Sequence, residues 1–311
     1  MNSAAAKPKI IIICGPTGIG KTTVAVDLAQ HFAGQIIGAD SMQVYKYMDI
    51  GTAKPTAAEQ ARVVHHMVDF VEPDDLFDAA RYAARAREKI IELDRQRITP
   101  FVVGGTGLYI KALLHGLFDE KVSDPEIRNR LKAEAGDRGI QCLYERLGRW
   151  DPETANRLHP NDTYRILRAL EVIEATGQAI SAHHKKHGFF DQPFESLKIG
   201  LEMDRALLYE RINRRVDAMI SAGFLDEVKG LLARGYSTNL KPMQSIGYRH
   251  MVDYIERRLN WDECVRTLKR DHRRYAKRQL TWFGADSEII WKEPGQVEAL
   301  KSLVENFMRE V

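Results

Sequence analysis

The stretch that decides the fold is Lys9–Asp40, KIIIICGPTGIGKTTVAVDLAQHFAGQIIGAD. Ile10 to Ile13 run into Cys14, a segment too short to span a membrane, which predicts a strand buried on both faces. Gly15, Pro16, Thr17, Gly18, Ile19, Gly20, Lys21 and Thr22 then fit G-x-x-x-x-G-K-[ST] at every fixed position. Thr23 to Phe32 places Val24, Leu28 and Phe32 at i, i+4 and i+8, the spacing of an amphipathic helix. A chance glycine-rich turn would lack that flanking strand and helix. With both present, the motif is a phosphate site.

The physics of such a loop is anion binding. Glycines let successive backbone N–H groups converge, and the helix N-terminus adds free N–H groups and partial positive charge. Lys21 brings a full charge to the terminal phosphates, and the Thr22 hydroxyl is placed for Mg²⁺. The loop predicts binding of a di- or triphosphate, nucleotides such as ATP included. It does not say which, or what is done with it.

The 311 residues, 44% of them hydrophobic, suffice for one large or two smaller domains. The net charge of +3 makes any nucleic-acid surface a matter of local clustering. Cys14, Cys142 and Cys264 are far apart and suggest neither a disulfide framework nor a zinc spacing. With no signal peptide read in MNSAAAKPK and no segment long enough to cross a bilayer, the expectation is a soluble, cytoplasmic protein that does not engage membranes.

Working outward, residues 1 to 8 read as a frayed tail. Gln35 to Ala39 reads as a second strand that delivers Asp40 at its carboxyl end. In an open α/β sheet ligands bind there, so Asp40 is expected to face the same crevice as the loop, whether or not it also caps a turn. Asp49 to Pro55 is a loop carrying Lys54, and Ala57 to Val64 a helix. His65 and His66 are taken as structural or substrate-contacting, without a metal. Ala79 to Arg95 is a helix, and Phe101 to Val103 a third buried strand that ends in GGTGLY, with Thr106 again at the sheet's carboxyl edge. Residues 119 to 195 are charged and mostly helical and read as an insertion. Its centre is a helix over Thr163 to Thr176, with Gly177 as C-cap. His183 to His187 reads as an exposed basic loop. Leu197 to Met203 returns to the sheet, and Ala206 to Ala222 is a helix carrying Arg211, Arg214 and Arg215. Residues 241 to 282 hold eleven basic and five acidic side chains. Arg266, Arg270, Arg273 and Lys277 share one helical face, whose single sign argues for a polyanionic partner.

GPTGIGKT, DSMQVY, MDIGTAKP, HHMVD, GGTGLYIKAL, RALEVIEATG, QSIGY and RRYAKRQLTWF occur in that order. Together they resemble the bacterial tRNA dimethylallyltransferase (tRNA isopentenyltransferase) family over almost the whole chain. The first motif alone is unspecific; DSMQVY, DIGTAKP and GGTGLY together are specific. The resemblance implies an α/β fold: a P-loop kinase-like core with a parallel sheet (residues 1–118 and 196–311) and an inserted all-helical domain (119–195) that contacts tRNA. It implies transfer of a dimethylallyl group from dimethylallyl diphosphate to N6 of adenine 37, directly 3′ of the anticodon, with Mg²⁺ as cofactor, in a monomer. The P-loop then holds the donor's diphosphate instead of a nucleotide.

By the same resemblance Asp40 is the base, and Thr17 lies near the bridging region of the diphosphate. Lys21, Mg²⁺ on Thr22 and an arginine, Arg215 before Arg211, stabilise the leaving group. The tRNA-contacting positions map onto Asp40, Ser41, Met42, Gln43, Thr106, Arg128, Tyr164, Arg165, Ile166, Leu167 and Arg168. The family often has Gln where Tyr164 stands, so a stacking contact replaces a hydrogen bond there. Ile19 replaces a common Ser at a variable loop position.

Three other readings compete. A P-loop kinase of a small molecule or nucleotide would share the loop and an Asp after strand two. A relative that prenylates free AMP, ADP or ATP would share the donor. A non-catalytic RNA-binding module would not need Lys21, Thr22 and Asp40 to converge. The insertion and the basic C-terminal helix favour a large polyanionic acceptor.

Overall fold

The computed structural model describes residues 7–116, 124–187 and 192–309. Residues 1–6 of the expected tail lie outside them. The chain divides into two units, residues 1–114 with 193–311, and residues 115–192. The first unit opens with β1 (Lys9–Cys14), α1 (Lys21–His31), β2 (Gly34–Gly38), α2 (Ala57–Arg62), β3 (His65–His66), α3 (Ala79–Arg95), β4 (Thr99–Gly104) and α4 (Gly107–His115). The second unit holds α5 (Pro125–Arg138), α6 (Ile140–Trp150), α7 (Pro152–Arg157), α8 (Thr163–Thr176) and α9 (Ile180–His187). The first unit then resumes with β5 (Glu195–Leu201), α10 (Arg205–Ser221), α11 (Phe224–Ala233), α12 (Tyr248–Ile255), α13 (Trp261–Phe283), β6 (Ile290–Lys292) and α14 (Val297–Arg309).

The sheet has six strands in the order β3-β2-β4-β1-β5-β6, every pair parallel. β1 is central. Ile11 and Ile13 stand opposite Phe101 and Val103 on one side and Leu197 and Ile199 on the other. Ile11 and Ile13 join one buried cluster with Val24, Leu28, Ile212, Ala276 and Leu300. Ile10 and Ile12 are as deeply buried and point to the opposite face, as strand alternation requires. Burying each such side chain is worth roughly 1.5–3 kcal/mol, so the four isoleucines anchor the layer from which the P-loop springs.

Because the strands are parallel, their carboxyl ends share one edge. β1 delivers the P-loop there, β2 delivers Asp40, and β4 delivers Thr106. The last two ends nearly touch: a Cβ on Gly104 would fall 2.0 Å from the Ala39 carbonyl oxygen, so only glycine lets β4 come this close.

Two expectations are corrected, and two short strands were not anticipated. His65 and His66 form β3, the sheet's edge strand, and two residues are too few to leave an alternating pattern. One nitrogen of each ring is taken up locally, His65 Nδ1 with Val63 O (2.8 Å) and His66 Nε2 with Gln35 Oε1 (2.7 Å), while His65 Nε2 is buried without a partner among the described residues. The other edge, β6, was not expected and is three residues long. The segment ending at His187 is helix α9, where a loop was expected. On α13 the basic face is partly spent inside the protein. Arg273 donates to Asn213 Oδ1 (2.7 Å) and stands over Tyr209, and Arg270 turns to Asp271 (2.9 Å). Arg266, Arg274, Lys277 and Arg278 are the exposed cations of this helix.

In the second unit, Leu131, Leu143, Leu147, Ile166, Leu170 and Ile173 make the core. α8 starts and stops where its sequence says, with Asp162 capping through the Arg165 N–H and Gly177 in the left-handed region at φ +70°. Buried Asp151 accepts from Thr154 N (3.0 Å) to cap α7 and from Ser181 N (2.9 Å) at α9.

Candidate active site

The P-loop enters α1 through Gly15, Gly18 and Gly20 at φ +141°, +80° and +100°, a region that L side chains rarely adopt. Lys21 opens the helix and folds back, its Nζ donating to Gly15 O (3.0 Å) and Pro16 O (2.8 Å). Burial first, and then the neighbouring Arg215, push the Lys21 ammonium down to about 8. The loop is thus a buried, cation-rich cup that an anion would relieve.

Arg215 reaches in from α10. Its Nη1 donates to Thr17 Oγ1 (3.0 Å) and its Nη2 to Thr52 O (3.4 Å). Its buried Nε has no partner among the described residues. A buried guanidinium N–H left open beside a P-loop is a donor waiting for an oxygen. Burial pulls Arg215 below its ordinary range, and Asp40 works the other way. Of the two candidate arginines, Arg215 is the one bonded to the loop. Arg211 lines the same cleft beside Gly20.

Asp40 stands across this cleft, which has a volume of about 780 Å³. Its Oδ1 accepts from Met42 N (2.8 Å) and Gln43 N (3.3 Å), so it caps a turn and lines the site at once. Among the described residues no hydrogen bond falls on Oδ2. Thr106 Oγ1 accepts from Ser41 N (3.1 Å), which ties the Asp40 turn to the end of β4. Gln43 Nε2 donates to Thr52 O (3.2 Å) and Ala53 O (3.0 Å), closing the DIGTAKP loop over the cleft. Lys54 lines the cleft, but its charge is met by Asp49 and Asp69.

Three contributors escaped the sequence reading. Gln279 on α13 accepts from Thr17 N (2.8 Å) and donates to Gly105 O (2.9 Å). Tyr275, one turn earlier, lines the cleft, its phenol pushed up to about 12 by burial and then by Asp40. Glu227 on α11 gathers the N–H groups of Asp49 (2.8 Å), Ile50 (2.6 Å) and Gly51 (3.1 Å) together with the Tyr248 hydroxyl (2.6 Å), and so fixes the DIGTAKP loop. One signal could have found Gln279. The buried side of α13 holds Cys264, Leu268, Asp271, His272, Ala276, Gln279 and Phe283, and a polar residue placed there asks for a partner.

The expected tRNA contacts on α8 separate. Tyr164 is 74% exposed and Arg165 projects outward, held loosely by Asp162. Ile166 and Leu167 are buried in the helical core, so their side chains offer nothing to a ligand in this structure. Arg128 and Arg168 both turn to the wholly buried Glu171, at 2.8 and 3.2 Å. That gives each a structural task which the sequence did not show.

For a metal, the cleft offers hard oxygen donors: the Thr22 hydroxyl and the carboxylates of Asp40 and Glu59. Among the described residues no three His, Cys, Asp or Glu cluster as a ligand set. A donor set of one hydroxyl with substrate oxygens and water suits Mg²⁺, which keeps much of its hydration. The described residues also contain no helix long and apolar enough to cross a membrane.

Comparison with known proteins points one way. The sequence model of the IPP transferase family matches residues 43–286. The chain is 55% identical over 304 residues to a tRNA dimethylallyltransferase from Desulfosudis oleivorans, covering 97% of each chain. Among solved structures it is similar to the full-length tRNA isopentenylpyrophosphate transferase of Bacillus halodurans (39% identity, 97% of each chain, TM-score 0.74). It is also similar to a eukaryotic dimethylallyltransferase acting on tRNA (28% identity, 96% of this chain and 77% of that one, TM-score 0.78).

Proposed function

The chain belongs to the IPP transferase family, and from that premise we propose that its cleft moves a dimethylallyl group from dimethylallyl diphosphate to N6 of the tRNA adenine that follows the anticodon. The observation that carries the reading is the convergence of Thr17, Lys21 and Arg215 on one side of a single cleft with Asp40 on the other.

The residues divide the work. The P-loop amides, Lys21 and the open Nε of Arg215 bind the diphosphate. Because Arg215 donates to Thr17 Oγ1, the Thr17 hydroxyl has its hydrogen left to give to the bridging oxygen of the donor. As the C1–O bond breaks, that oxygen keeps the electron pair, and the cationic loop stabilises the charge without reorganising. The adenine N6 lone pair forms the new bond to C1. The proton released from N6 goes to the Asp40 carboxylate, whose Oδ2 is the free acceptor. Thr22 would hold Mg²⁺, which supplies further charge neutralisation on the leaving diphosphate. The adenine must leave its stack to enter the cleft, and exposed Tyr164 and Arg165 on the helical unit offer stacking and phosphate contacts to the RNA.

The test is an incubation of the protein with labelled dimethylallyl diphosphate, Mg²⁺ and unmodified tRNA, with AMP, ADP and ATP as parallel acceptors. Label in tRNA alone is expected. Label in a free nucleotide, or phosphate transfer from ATP without prenyl transfer, would overturn the reading.

A further inference from the structure

Thr17 is gripped from two sides. Arg215 holds its hydroxyl, and Gln279 holds its backbone N–H at 2.8 Å. In a loop built to aim amides at an anion, this one amide is committed to a side chain from a distant helix. That N–H belongs to the planar Pro16–Thr17 peptide, so the bond from Gln279 fixes the plane from which the Thr17 side chain springs. Gln279 is only 5% exposed and sits in a notch made for it. A Cβ on Gly105 would come within 2.2 Å of Nε2, the atom that donates to Gly105 O. The amide therefore joins the end of β4 to the third residue of the P-loop, with both of its polar ends satisfied.

We propose that Gln279 is a positioning residue for prenyl transfer: by fixing the Thr17 peptide it aims the Arg215-polarised hydroxyl at the donor's bridging oxygen. This rests on the function proposed above. Gln279 takes no proton and binds no phosphate. It removes the rotation that would let the hydroxyl drift from the breaking bond, and misplacement of a reacting group by about 1 Å costs up to roughly 100-fold in rate.

A merely structural glutamine would affect donor binding, rate and stability together. The experiment therefore measures donor affinity by calorimetry and the single-turnover rate with saturating donor and tRNA. It uses the full chain as wild type, Gln279→Leu, Thr17→Ala and the double variant. For Gln279→Leu the expected result is a rate loss of roughly 10- to 100-fold with donor affinity changed by less than about threefold. In the Thr17→Ala background the same change should alter the rate by less than about twofold, because the group it positions is gone. Gln279→Glu in its carboxylate form keeps an acceptor for the Thr17 N–H, gives up the bond to Gly105 O and adds a charge beside the P-loop. It should weaken donor binding while holding the saturated rate within about fivefold of wild type. Rate and affinity falling in parallel, multiplicative losses in the double variant, or a saturated rate for Gln279→Glu as low as for Gln279→Leu would overturn the assignment. Absence of prenyl transfer to tRNA by the wild type would instead sink the function on which it rests.

Discussion

Asp40 divides two tasks between its two oxygens. Oδ1 closes the turn through Met42 and Gln43, and Oδ2 is left to the cleft. An Asp40→Asn variant keeps an oxygen for the turn and removes the proton acceptor proposed for N6. Its single-turnover rate is expected to fall roughly 10²- to 10⁴-fold. tRNA affinity by filter binding should hardly change; equal losses in both would contradict a base role. Arg215→Lys tests the other side. A lysine carries its three N–H groups on one nitrogen and cannot reach Thr17, Thr52 and a diphosphate oxygen from the three separate positions a guanidinium offers, so donor affinity should fall by roughly 10-fold or more. A donor titration that matches wild type would refute it. Asp40, Lys21 and Thr22 were legible because their places follow from strand ends and a loop of fixed pattern. Arg215 was legible only as one of two candidates, since helix spacing cannot say which of Arg211 and Arg215 meets the loop. Gln279 was not legible, because its partners lie 262 and 174 residues away in the chain.

Two helices show how far periodicity carries at the scale of elements. In α8 the apolar spacing and the Gly177 stop give the helix residue for residue. It does not give partners: Glu171 lies on the buried side with a side chain 0% exposed, and Arg128 and Arg168 are there to meet it. Glu171→Ala would leave two guanidinium groups without their carboxylate. It should destabilise the second unit, read as a fall in denaturant midpoint. Arg165→Ala, on the exposed side, should leave that midpoint alone. It should weaken tRNA binding a few-fold and lower the salt slope by about one. If Arg165→Ala destabilises the protein and Glu171→Ala does not, the two faces are misassigned. α13 teaches the complement. Its sequence reads as a basic stripe, yet Arg270 pairs with Asp271 and Arg273 with Asn213, partners that periodicity alone does not reveal. Short edge strands fail for another reason: β3 and β6 hold two and three residues, below the length at which any period exists.

At the scale of the whole molecule, the P-loop unit carries buried titratable groups that do not line the cleft. His272, on the buried stripe of α13, has its imidazole pushed down to about 4, by burial first and then, against a bond to Leu268 O, by Arg215. His250 on α12 is lowered too, by burial and by Arg249. Burial alone would raise the Asp271 carboxyl between them, but Arg270 and Arg249 bring it down to about 2. All three groups bind protons more weakly in the folded chain than in the unfolded one. Their stabilisation is therefore whole above the unfolded pKa values and is lost as pH falls, for His272 between about 6.5 and 4. That window is worth about 3 kcal/mol for His272 alone. Urea unfolding should show a midpoint that falls slightly from pH 8 to 7 as Lys21 takes up its proton, and declines steadily from pH 6.5 to 4.5. His272→Leu should flatten much of the decline, because an apolar side chain of similar size has no proton to gain. An unchanged midpoint across this range in the wild type would refute the argument. The same change has a reading at the active site. His272 and Gln279 stand on one stripe of one helix, and Gln279 holds Thr17. Acid that loosens α13 should therefore lower the rate of transfer before it unfolds the sheet beneath the P-loop, where Ile10 to Ile13 carry no titratable group.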